Sequence, residues 1–243
     1  MKLIVLAAGY ATRLYPLTLD RPKPLLDVAG RPMLDHLLDR VLTIAGIDQT
    51  IVVTNAKFAG AFEEWARGRQ RITVVNDGTS SEHDRLGAIG DIGHVLDRCD
   101  LDDDLVVVAG DNLFGSDLAD FGRHARSVGA PTLAIHDVGD LAEMPKYNQV
   151  QTDADGRVTF FEEKPRHATT TLAGIALYYY PRGTLPLIRE YLAAGNNPDQ
   201  PGRLIQWLYP RLPVYTWLVP GTWYDIGSHA SLAEADAAFT AES

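Results

Sequence analysis

The chain has 243 residues, 46% of them apolar and 22% charged, with a formal net charge of −10. That length supports one sizeable core, and an acidic chain without a basic run argues against nucleic acid or an anionic membrane as a partner. No window approaches a membrane-spanning helix, the N-terminal apolar run is too short for a secretory signal, and Cys99 stands alone. A soluble protein of a reducing cytoplasm is expected.

The apolar run from Leu3 to Ala7 predicts a strand, broken by a loop holding Gly9 and Arg13. Pro32 to Ala45 carries apolar residues at helical spacing, with Pro32 suited to a first turn. Residues 50–55 read as a strand, Lys57–Arg67 as a helix, 72–77 as a strand and Leu86–Leu96 as a helix. Strand 104–111, helix Ser116–Arg126 and strand 131–138 complete the alternation. Continuous Val/Ile/Leu runs between helices predict a mostly parallel sheet covered on both faces.

From 147 the pattern changes. Residues 147–153 and 157–164 flank Ala154-Asp155-Gly156, a hairpin signal. A strand over 172–180, a helix near 183–194, a loop over 195–202, a strand over 213–219 and an Ala-rich helix over 229–239 follow. The expected fold class is α/β, a Rossmann-like mostly parallel central sheet flanked by helices with a smaller mixed-sheet lobe. One domain is expected, with halves at about 1–138 and 139–243.

In such sheets ligands gather beyond the carboxyl ends of the strands, where Gly9, Asp77 and Asp111 all fall. A strand opening into a small-residue loop presents backbone N–H groups to an anion, and Arg13 and Lys23 add fixed positive charge. Arg is a planar fork and Lys a point charge, so the two can hold different parts of one polyphosphate. Only five of the 22 basic residues are lysines, and three of them, Lys23, Lys146 and Lys164, touch a proline. Asp111 follows an apolar strand and Asp225 sits in Trp223-Tyr224-Asp225-Ile226-Gly227. Each is either a turn or cap residue or one of the one or two carboxylates that Mg²⁺ takes. Strand alternation puts Glu162 and Lys164 on one face and Glu163 on the other, leaving either an exposed ion-paired hairpin end or a sugar-phosphate contact.

The stretch LAAGYATRLYPLTLDRPKPLL, residues 6–26, resembles the signature of the sugar-1-phosphate nucleotidyltransferases, the nucleotide-sugar pyrophosphorylases, in a short form like the glucose-1-phosphate thymidylyltransferases. Ala11 replaces the second glycine of that signature, at a cost in freedom for φ > 0. GDN at 110–112, EEKP at 162–165 and WYDIGS at 223–228 match further motifs of the family in the same order. The resemblance implies Leu6, Ala7, Ala8, Gly9, Tyr10, Ala11, Thr12, Asp77, Gly87 and Ala88 on the nucleotide, and Arg13 and Lys23 as catalytic cations. It implies Asn148, Glu163, Lys164 and Gly174 on the sugar phosphate, with Asp111 and Asp225 holding Mg²⁺. The implied reaction joins an NTP to a sugar 1-phosphate with release of pyrophosphate, dTTP or UTP with a hexose 1-phosphate being favoured. A cytidylyl- or guanylyltransferase acting on another phosphate or phosphonate, and a non-catalytic nucleotide-binding regulator, are the alternatives. Two departures fall on the sugar side: Tyr147-Asn148 in place of Tyr-Gly, and Leu172-Ala173-Gly174 in place of Asn-Thr-Gly. The resemblance leaves a homo-oligomer open.

Overall fold

In the computed structural model, which describes residues 1–242, the N-terminal apolar run forms β1 (Lys2–Leu6). Ile4 faces one side of the sheet and Leu3 and Val5 the other, and all three are fully buried. Continuous apolarity is what a strand covered on both faces requires. Short 3₁₀ turns at Thr12–Leu14 and Lys23–Leu25 follow, then the two-residue pair β2 (Asp27–Val28) and β3 (Arg31–Pro32) and helix α1 (Met33–Val41). The alternation runs on through β4 (Gln49–Thr54), α2 (Ala59–Ala66), β5 (Ile72–Asn76), α3 (Ala88–Arg98) and β6 (Leu105–Ala109). Next come β7 (Asn112–Phe114), α4 (Ala119–Val128) and β8 (Thr132–Asp137).

The second half supplies the hairpin β9 (Asn148–Thr152) and β10 (Val158–Glu163), then β11 (Leu172–Tyr180) and α5 (Leu185–Ala193). It closes with α6 (Gly202–Leu208), β12 (Tyr215–Leu218), β13 (Trp223–Asp225) and α7 (His229–Glu242). The seven-stranded sheet has the order β12-β8-β11-β6-β1-β4-β5, with β1, β4, β5 and β6 parallel. Strand β11 lies antiparallel between β6 and β8, so the second half of the chain contributes a central strand to the first half's sheet. Helices α3, α5 and α6 cover one face; α1, α2 and α4 cover the other.

Two features depart from the expected pattern. The strand expected to run to Asp111 stops at Ala109, and β7 turns away to pair with β13, Asn112 facing Asp225. The loop expected over 195–202 leads directly into α6, a helix with no signal strong enough to single it out: seven residues give two turns, and Gly202 opens it. Among the described residues, no helix is long and apolar enough to cross a membrane.

Candidate active site

The loop after β1 is held by its neighbours as well as by its own 3₁₀ turn, in which the Leu14 amide donates to the Ala11 carbonyl at 3.0 Å. Asn55, at the end of β4 and wholly buried, donates from Nδ2 to the Ala8 carbonyl at 2.8 Å and accepts from the Phe58 amide at 3.1 Å. Ala11 lies in the left-handed region at φ +48°, where a glycine would be unstrained, and its carbonyl accepts from Thr18 Oγ1 at 2.8 Å. At the position of the signature's glycine, the backbone thus adopts a shape that glycine takes without strain. Residues Gly9 to Arg13, with Lys23, Arg85 and Asp111, wall a compartment of about 240 Å³. Its cations and free loop backbone suit an anion.

One end of this compartment is an acid corner. Pairing of β7 with β13 sets Asp225 opposite Asn112, one residue from Asp111, and the Ile226 amide donates to the Asp111 carbonyl at 3.1 Å. Lys23 Nζ donates to Asp111 Oδ2 at 2.5 Å and to the Ile226 carbonyl at 2.6 Å. Asn112 Nδ2 holds the other Asp111 oxygen at 2.9 Å, and Trp223 Nε1 holds Asn112 Oδ1 at 2.6 Å. Asp225 keeps an exposed edge, yet partial desolvation in the corner, then the charge of Asp111, push its carboxyl up to about 6, against the pull of Lys23 and Arg13. Lys23 is the nearest counter-charge for Asp111, which it holds below the usual carboxylate range despite burial. Two carboxylates that share little positive charge are a fitting oxygen-donor pair for a hard divalent cation.

Beyond Asp111 the cleft widens to a second compartment of about 380 Å³. Its far wall is the end of the β9–β10 hairpin. Glu163 pairs with Asn148 in register, and the Lys164 amide then donates to the Tyr147 carbonyl at 2.9 Å. Lys164 adopts φ +52°, so the regular alternation fails there and both Glu163 and Lys164 reach the same cleft. Glu163 Oε2 is sealed from solvent without a hydrogen-bond partner, and burial pushes its carboxyl up to about 7. Gly202 explains how it fits: a Cβ there would overlap Glu163 Oε2 and press on Phe161. Asn148 also lines the cleft, but both ends of its side-chain amide are committed to Gly174, Nδ2 to the carbonyl at 2.8 Å and Oδ1 from the amide at 2.6 Å. It positions β11 with one hydrogen bond from each end of its amide.

The opposite wall is the head of α3. Gly87 sits at φ +80°, and a Cβ there would fall 2.7 Å from the Pro198 carbonyl oxygen, so only glycine fits on both counts. The Ala88 and Ile89 amides donate to the Asp199 and Pro198 carbonyls at 3.1 and 2.8 Å. Asp77 is buried behind the loop, its Oδ1 accepting from the Thr79 amide and hydroxyl at 2.7 and 2.8 Å.

A cleft with a cationic compartment, a paired-carboxylate corner and a wider polar compartment is a common arrangement for phosphate chemistry, and the comparison with known proteins narrows it. A family model described as nucleotidyl transferase matches residues 2–242. The chain belongs to this family. It is 30% identical over 239 residues to a UTP–glucose-1-phosphate uridylyltransferase of Synechocystis, covering 93% of this chain and 60% of that protein. It is 36% identical over 190 residues to a mannose-1-phosphate guanylyltransferase of Mycobacterium tuberculosis, covering 77% and 50%. The chain thus spans between half and two-thirds of the length of these relatives. A solved UDP-glucose pyrophosphorylase with UDP-glucose superimposes with a TM-score of 0.82 at 20% identity, covering 100% of this chain and 99% of that one. At that identity the likeness speaks for the fold.

In this member of the family most of the residues singled out from sequence gather around one cleft. Leu6, Ala8, Gly9, Gly87, Ala88, Asp111, Asn148, Glu163, Lys164, Gly174 and Asp225 line the wider compartment. Ala7, Tyr10, Ala11, Thr12, Arg13 and Lys23 line the narrower one, which Leu6, Gly9 and Asp111 also reach. Asp77 lines neither and stands behind the wall. Sequence reasoning passed over Arg85, which borders both compartments, and Asp91, Asp199 and Gly202, which border the wider one. Asp91 carried a usable signal: an acid one turn into an otherwise small and apolar helix start, Gly87-Ala88-Ile89-Gly90-Asp91-Ile92.

Proposed function

We propose that this chain transfers a nucleotidyl group from a nucleoside triphosphate to a sugar 1-phosphate, giving a nucleoside diphosphate sugar and pyrophosphate. The observation that carries the proposal is the junction at Asp111. There a cationic compartment fit for the leaving pyrophosphate meets a wider one fit for nucleoside and sugar, with Asp225 and Lys23 at the seam.

The sugar phosphate's oxygen attacks the α-phosphorus, the bond to the bridging oxygen breaks, and pyrophosphate departs in line with both electrons of that bond. Little covalent work falls to the protein, so positioning and charge stabilisation supply the catalysis. Arg13 and the backbone of Gly9 to Thr12 take the leaving phosphates. Lys164 draws the incoming dianion to the wall where Glu163 meets the sugar's hydroxyls. A Mg²⁺ ion held by Asp111 and Asp225 would neutralise phosphate charge at the reacting group, as hard divalent cations do on one or two carboxylates. Lys23, whose ammonium stands at the seam, would add its positive charge at the α-phosphate. Tyr147 and Trp223, with ring centroids 6.0 Å apart, border the cleft beside this seam.

The test is pyrophosphate release with Mg²⁺, screening nucleoside triphosphates against a panel of sugar 1-phosphates. The proposal expects at least one productive pair, lost on Asp111→Ala with Asp225→Ala. Nucleotide binding with no acceptor across the panel would overturn the sugar assignment.

A further inference from the structure

A second hollow, of about 300 Å³, lies outside the cleft, between α5, the loop that follows it and α6. Tyr191 and Trp207 pack edge to face, with ring centroids 5.7 Å apart, and form its aromatic wall. The loop is pinned to that wall. The Tyr191 hydroxyl donates to the Asn197 carbonyl at 2.6 Å, and Asn196 Nδ2 donates to the Tyr191 carbonyl at 2.9 Å. These contacts fix the shape of the hollow before anything enters it.

Its charge is one-sided. The chain has a net charge of −10, yet no carboxylate lines the hollow, while Arg203 and Arg211 both do. Arg203 commits Nε to Gln200 Oε1 at 2.6 Å. Arg211 commits Nη1 to the Trp207 carbonyl at 2.6 Å and lies over the Trp207 ring, 4.0 Å from its centroid. Among the described residues neither guanidinium has a carboxylate partner, so each keeps donors to give. The side-chain amides add to them. Gln206 Oε1 is taken by the Glu163 amide at 3.1 Å and Asn197 Oδ1 by the Asp199 amide at 2.9 Å, which leaves both NH₂ groups unspent. Asn196 Oδ1 is the one side-chain amide oxygen on this wall without a donor among the described residues, too little to draw a cation against two guanidinium charges.

We propose that this hollow is a binding site for a small oxyanion, the phosphate or carboxylate group of a small molecule, held by Arg203 and Arg211 with the Gln206 and Asn197 amides as further donors. A guanidinium fork matches two oxygens of such a group at once, and the charge of the lining favours an anion over a cation or a neutral polyol. The volume is that of the smaller ligand sites. The site shares no lining residue with either compartment of the cleft. It backs onto the cleft through α6, whose Gly202 packs on the Glu163 carboxylate and whose Gln206 receives the Glu163 amide.

The experiment titrates the full chain with inorganic phosphate and, separately, with acetate, at an ionic strength held constant with sodium chloride. The readout is the indole N–H NMR signals of the four tryptophans. Trp207 lines the hollow and Trp223 the cleft, so the two places report separately, and Trp207→Phe and Trp223→Phe assign their signals. The Trp207 signal should shift and saturate with at least one of the two anions. Arg211→Gln should weaken that binding by about tenfold or more and leave the Trp223 response as it was. Saturation with phosphate alone assigns the site to phosphate esters, with acetate alone to carboxylates, and with both to the shared oxyanion chemistry. No saturating shift of the Trp207 signal with either anion overturns the proposal, and so does a shift that Arg211→Gln leaves undiminished. Should Arg211→Gln fail to fold, Arg203→Gln removes the other fork and is read at Trp207 in the same way.

Discussion

Lys23→Met separates the structural and chemical duties of Lys23. In the metal-free protein its ammonium makes two short contacts, 2.5 Å to Asp111 Oδ2 and 2.6 Å to the Ile226 carbonyl. Methionine keeps the bulk and removes both, leaving Asp111 with the Asn112 amide alone. Breaking a fully buried pair costs about 3–5 kcal/mol. Here the side chains retain 14% and 27% exposure, so water screens part of the charge and a loss of about 2 kcal/mol is expected. Urea unfolding in EDTA should show it as a lower midpoint at unchanged slope. Adding Mg²⁺ should close most of the gap, because a cation between Asp111 and Asp225 replaces the missing charge. The same titration should give an equal or tighter Mg²⁺ affinity, since the variant no longer offers a competing ammonium. Activity should nonetheless fall by about a hundredfold or more, in line with loss of an electrostatic contact made in the transition state. A variant as stable as the parent in EDTA, or a deficit that Mg²⁺ leaves untouched, would refute the reasoning.

Three further outcomes are expected. Gly87→Ala places a Cβ 2.7 Å from the Pro198 carbonyl at φ +80°; a loss of about 2–4 kcal/mol and a raised KM for nucleotide should appear together in unfolding and kinetic assays. Asn148→Ala leaves the buried Gly174 amide and carbonyl unpaired, at about 2–4 kcal/mol, and hydrogen exchange at Gly174 should quicken markedly. Asp91, raised from its ordinary value to about 8, binds a proton in the folded state that the unfolded chain releases near pH 4. Its contribution is therefore present at low pH and declines as pH rises toward 8, and Asp91→Asn should flatten that decline in urea midpoints measured from pH 5 to 8.5.

The residues that the sequence singled out are those whose chemistry is local. Leu6 to Arg13 form one strand end and one loop, so composition alone suggests an anion-binding shape, and Ala11, which gives up glycine's freedom for φ > 0, nonetheless adopts φ +48°. The irregularity required for Glu163 and Lys164 to face one cleft likewise appears, at Lys164. The central sheet was legible because strands buried on both faces are apolar throughout.

What escaped the sequence is long-range. Lys23 meets Asp111 across 88 positions and Ile226 across 203; no periodicity encodes that, since it follows from β7 leaving the main sheet to pair with β13. Asn148 lines the cleft and also bonds both backbone groups of Gly174, a contact that arises because β9 and β11 lie side by side. The clasp of Pro198 and Asp199 on α3 depends on the placement of α6, a helix too short to announce itself. Asp91 stands out in its small and apolar surroundings, but only the fold buries it against the wall of the cleft. The amino-acid sequence by itself determined the sheet and the small-residue loop after β1, since each rests on neighbours in the chain. Tertiary structure alone decided which polar groups remain free to meet a ligand, because a hydrogen bond already made inside the protein is unavailable to anything outside it.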